Sequence, residues 1–192
     1  ASGTWDLQVQ GLLQILGLSS APVSLSPWPR THRARVAHGA WGEVSIEAGG
    51  TAALSYVHII GGGGGGAGKA WGHSDSQPVL RANDSATLAL VHSMVTDSLG
   101  KAFGAERSHV FLATSSIART DTGGEFHLCC LQVRHCHISQ IPVRFASRSA
   151  GGGDDDNDGL YIREAMPSTP GGCPGSSIED TVLVDGGDDA VD

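Results

Sequence analysis

The chain has 192 residues, 40% of them hydrophobic, which suits one core or two small ones and argues against both a disordered peptide and a long multidomain enzyme. Its 28 glycines and 5% aromatic content imply that much of it is turn or closely approached backbone. The longest apolar stretch, residues 11–18, is interrupted by Gln14 and is far below the roughly 20 residues of a membrane helix, so the expectation is a soluble chain with no membrane span. Of the formal charge of −8, residues 150–192 contribute one base (Arg163) against eleven acids, a local −10 that leaves +2 for the rest. An acidic tail on a near-neutral body argues against a dedicated nucleic-acid site, because phosphate binding needs a clustered basic excess.

In chain order, residues 5–18 fit a strand through Trp5, Leu7 and Val9 or a helix through Leu12, Leu13 and Leu16. The run Pro22 to Pro29 suits an extended connector, and Arg30, His32, Arg33, Arg35 and His38 make the following segment a basic arm. Val44 and Ile46, the Gly49-Gly50 turn and the strand formers from Leu54 to Ile60 predict a β-hairpin over 43–60. After six glycines, Leu88, Val91, Val95, Leu99 and Ala102 recur at three and four residues and predict a helix over 85–103, opened by Asp84 or Ser85 and closed by Gly104. Asn83-Asp84-Ser85 also matches a glycosylation acceptor. Two β-rich segments around the turn 120–124 predict a second hairpin over 109–145. The expected fold class is therefore α+β: an antiparallel or mixed sheet from two hairpins, one covering helix, long glycine-rich loops and extended termini. It divides into an N-terminal segment (1–40), a body (41–149) and an acidic Gly/Asp-rich tail (150–192) that should order only against a partner.

Three patterns carry chemistry. Gly63, Gly68 and Lys69 fit the GxxxxGK of a phosphate-binding loop after a strand, but Ala70 stands where the magnesium-ligating hydroxyl belongs. Asp154, Asp156, Asp158 and Gly159 match the opening of a calcium loop, with Glu164 one position short of the expected bidentate glutamate. His135 and His137 could be two ligands of zinc, with Cys173 or His109 completing the set. His92, beside the apolar stripe, reads as a structural histidine. Adjacent Cys129 and Cys130 do not resemble a secreted cystine framework, which favours a reducing compartment, cytoplasmic or within a virion. No hydrolase elbow, HExxH or paired CxxC is present. The expectation is a non-enzymatic structural or accessory subunit of a large assembly, such as a viral capsid component or an auxiliary subunit, whose partners are other protein subunits; the alternative is a phosphate- or metal-binding protein.

Overall fold

A computed structural model describes residues 6–27, 41–63, 71–72, 76–141, 158–169, 172–184 and 191. Among them there are seventeen strands and no helix, and every pairing between strands is parallel. The α+β expectation with antiparallel hairpins and a covering helix is therefore overturned. Each strand pairs with the strand one circuit later in the chain, so the backbone winds as a β-solenoid with three faces.

The first coil consists of β1 (Leu7–Val9), β2 (Leu12–Leu16) and β3 (Val23–Leu25). The second has β4 (Val44–Ile46), β5 (Thr51–Ser55) and β6 (Val57–Ile60), and the third β7 (Leu80–Asn83), β8 (Thr87–Val91) and β9 (Met94–Thr96). The fourth has β10 (Phe103–Glu106), β11 (His109–Ala113) and β12 (Ser116–Ala118). In the fifth, β13 (Gly124–Arg134) runs through a corner, its first half joining the first face and its second half the second, before β14 (His137–Ser139). That passage joins two faces into one 11-stranded sheet, while the third face is a separate 6-stranded sheet. The sixth coil comprises β15 (Tyr161–Ala165), β16 (Ser177–Glu179) and β17 (Val182–Val184). Strands from residues 7–25 and from the acidic tail thus stack on the same solenoid as the body, so the tail strands find their partners in β13 and β14 of this chain.

Alternation with period two sends one residue in two into the interior. Leu88, Val110 and Leu131 form one inward column, Leu90, Leu112 and Val133 the next, and Ile59, Val95, Ile117 and Ile138 fill the third face; all are buried. The predicted helix over 85–103 falls here. Leu88 and Leu90 point inward from one strand and Val95 from the next, so the three- and four-residue spacing arises from a corner between two strands. Leu99, placed on the helical stripe, is 47% exposed. The two hairpins contain real strands, but Gly49-Gly50 lies at a corner joining β4 to β5, which do not pair with each other.

The corner between the second and third faces is the tightest. Tyr56, His92, Thr114, His135 and Asp180 turn it in successive coils, each with φ between 46° and 52°. Four of them are followed by a residue that reaches to the coil before or bonds back to its own. Ser93 Oγ accepts the N–H of Val57 at 2.9 Å, Ser115 Oγ accepts that of Ser93 at 3.1 Å, and Thr181 Oγ1 accepts that of Cys136 at 3.3 Å. Each hydroxyl donates to a carbonyl two residues back, so buried backbone groups between coils are satisfied by side chains.

Candidate functional site

The corner from the third face to the first behaves differently. Its connections are short at 97–102 and 119–123 but long at 26–43, 61–79 and 140–160. The described part of 61–79 returns across the outside of the first face. Trp71 sits against Gly104, where a side chain would collide with the indole, and Gly72, with φ 70°, fits against Glu125, where a Cβ would meet the carboxylate.

Beneath this fold-back is a buried ion pair. Lys101 Nζ lies 2.7 Å from Glu125 Oε1, with side-chain exposures of 0% and 4%, and donates to the carbonyl of Trp71 at 2.5 Å. The same ammonium stands 5.4 Å from the Trp71 ring centre, a cation–π distance. Burying two charges is favourable only when each is compensated, so the pair ties the connection to the sheet.

A cleft of about 480 Å³ opens beside it, bordered by Trp71, Gly72, Glu106, Glu125, Phe126, His127, Tyr161 and Arg163. Rigid strands supply most of these side chains. Glu106 of β10 is the register partner of His127 of β13, and their Oε1 and Nδ1 atoms are 3.9 Å apart. Tyr161 of β15 pairs with Glu125. Arg163 falls where the register of β15 on β13 shifts, a bulge that re-aims side chains at the sheet surface. Glu106 also accepts a short hydrogen bond from Arg107, which pairs with Asp84 at 2.6 Å. At the other end of the first face, Arg81 lies 3.1 Å from Glu43.

Those of the residues singled out in the sequence that are described lie outside this cleft. Gly63 donates its N–H to the carbonyl of Gly42 and has no room for a side chain against Gly100 and the Gln77 carbonyl, so its amide is committed to protein; Gly68 and Lys69 lie outside the described residues. A strand, β7, follows the loop where a phosphate-binding helix would be needed. Asp158 is buried, its carbonyl accepting from Gly123, whereas Asp154 and Asp156 lie outside the described residues. His135 and His137 border one shallow groove together with His58 and His92, and His135 Nδ1 is 3.7 Å from Asp180 Oδ2. Their suggested companions are not available to them: Cys173 is bonded to Cys130, and His109 lies on the second face. Among the described residues no group of three or more His, Cys, Asp or Glu side chains could hold a metal ion. His92 stacks on Tyr56 with ring centres 4.8 Å apart.

The Cys130–Cys173 disulfide, with a Cα–Cα distance of 5.5 Å, fastens the fifth coil to the connection between β15 and β16. It does not fit the expected reducing compartment. Cys129 and Cys136 are free and buried, and burial pushes both thiols above their ordinary range. Among the described residues no helix is long and apolar enough to cross a membrane.

No family model, no curated protein and no solved structure matches this chain. The cleft itself was invisible to motif reading because its residues come from four separate segments, at 71–72, 106, 125–127 and 161–163. The signal that leads to it is the repeat. Thr87, His109 and Cys130 occupy one column at steps of 22 and then 21 residues, and the three longest connections depart from that step at one corner, with a shorter departure at 166–176 at another.

Proposed function

We propose that this protein is a non-enzymatic binding scaffold, an accessory element of a larger structure, that presents the cleft on its first face to a partner molecule. One observation carries the reading: the three longest connections leave at one corner, beside the first face, and the described part of one of them is fixed over it by the Lys101–Glu125 pair. In solenoids the coils need only enough chain to close each circuit, so insertions gathered along one edge mark the surface that does the recognising. Glu106 and His127 stand 3.9 Å apart on rigid neighbouring strands, an arrangement suited to fixed hydrogen bonding. The disulfide favours work in an oxidising environment.

The test is a replacement of residues 61–79 by a connection of the length of 97–102. The strands should keep their circular dichroism and cooperative melting, while cross-linking of the full chain to its neighbours in its native compartment should be lost. Cross-linking unchanged by the replacement, or turnover of chromogenic ester, phosphate or glycoside substrates that Glu106→Gln abolishes, would overturn the scaffold reading.

A further inference from the structure

We infer that the ligand of the first-face cleft is a neutral oligosaccharide, an inference that rests on the binding role just proposed for this site. The composition of its walls decides the class. Apart from Phe126, whose ring belongs to the core at 1% exposure, the bordering side chains are aromatic with a polar tip (Trp71, Tyr161) or charged or imidazole groups (Glu106, Glu125, His127, Arg163). Among the described residues no Leu, Ile, Val or Met borders the cleft. A lipid tail needs an aliphatic pocket, and the described walls offer none. A sugar ring needs an aromatic surface for its C–H patches and fixed donors and acceptors for its hydroxyls, and both are present.

The charges also favour a neutral ligand over a polyanion or polycation. Glu125 is matched by Lys101 at 2.7 Å, and Glu106 is approached by Arg107, which it shares with Asp84, so that with Arg163 the described acids and bases around the cleft are equal in number. Arg163 is one exposed guanidinium, and phosphate or polyuronate recognition draws on clustered cations. Carboxylates and a guanidinium hydrogen-bond neighbouring hydroxyls in pairs, which gives a buried network its specificity. The volume of about 480 Å³ lies within the range of small-ligand sites, and the open side allows a chain to run past it.

The intact, disulfide-bonded chain should be titrated, with tryptophan fluorescence and calorimetry, against short oligomers of glucose, mannose, xylose and galactose, each to about 10 mM, a range that reaches weak affinities. Anionic polygalacturonate and a mixed-charge peptide serve as contrasts. Saturable binding of at least one neutral oligomer is expected, weakened about tenfold or more by Glu106→Gln and by Tyr161→Ala with melting unchanged, and left intact by Gln132→Ala on the second face. Binding of none of the neutral oligomers overturns the inference. If the anionic polymer or the peptide binds instead, with sensitivity to Glu106→Gln, the sugar inference fails while the scaffold reading stands. If a neutral oligomer binds but is cleaved in a Glu106-dependent way, the scaffold reading fails and the ligand class stands.

Discussion

Two corners of the same solenoid both begin with a left-handed residue but differ in how much chain they take up. Between the second and third faces of the second to sixth coils, single residues in the left-handed region make the turn, and Ser93, Ser115 and Thr181 satisfy the backbone of the coil before. Between the third and first faces, three connections run for eighteen residues or more, and charged side chains hold the corner: Lys101 on Glu125, and Arg119 on Asp97 at 2.6 Å between the two short connections. The first corner fixes register and has no slack. The second has slack, and one of its connections folds back over the face that holds the cleft. A repetitive fold can thus keep its pairing geometry on one edge and spend sequence on recognition along another.

The largest expected effect breaks the open corner. Lys101→Met removes the cation 2.7 Å from the buried Glu125 carboxylate and should cost about 3–5 kcal/mol in urea unfolding. Lys101→Met combined with Glu125→Leu should recover most of that, because the uncompensated charge is removed. A loss under about 1 kcal/mol in the single variant would mean that the pair does not fasten the connection.

A middle-sized effect tests the tight corner. Ser115→Ala removes the acceptor of the buried Ser93 N–H and should destabilise by about 1–3 kcal/mol, whereas Ser116→Ala, one residue on and facing outward, should stay within about 0.5 kcal/mol. Equal effects at the two serines would contradict the role given to the hydroxyl column.

The smallest effect lies in acid. Hydrogen bonds from Arg119, helped by Thr96, hold the Asp97 carboxyl below its ordinary value against partial desolvation. A carboxyl depressed in the folded state contributes stability above its unfolded value near 3.9 and loses it as pH falls through the folded value. The pair is half exposed, so its contribution should be below about 1 kcal/mol. Melting temperatures of the parent and Arg119→Gln should differ slightly at pH 6 and converge below about pH 4; a gap that widens in acid would reverse the assignment.

Much of the strand content was legible. Alternation at Val44 and Ile46, at 54–60 and in the segments after His109 marked real strands. Their pairing was not legible, because short strands with turns read alike whether the next strand returns beside the last or a full circuit intervenes. The column step was present in the sequence: Leu88-Ala89-Leu90-Val91-His92-Ser93, Val110-Phe111-Leu112-Ala113-Thr114-Ser115 and Leu131-Gln132-Val133-Arg134-His135-Cys136 superpose residue for residue. Aligned in that way, the helix over 85–103 dissolves into two strands and a corner. The site was less accessible, since Trp71 and Glu125 meet only after two further coils have stacked, and no local spacing records that. The glycine run and the acidic run drew the eye because they are dense in one residue type, while the described chemistry is assembled from singly placed residues on separate strands.

In a solenoid each coil leans on its neighbours alone, and that has a consequence for the order in which the molecule opens. Amide hydrogen exchange should be slowest in β8, β11 and the second half of β13, which are covered on both sides, and fastest in the first and sixth coils. The sixth coil carries Tyr161 and Arg163, two of the eight described residues that border the cleft, and the Cys130–Cys173 bond holds its connection to the fifth. Reduction should therefore let the cleft fray while the middle coils stay closed, so that the ability to bind and the ability to stay folded part company along the length of one chain.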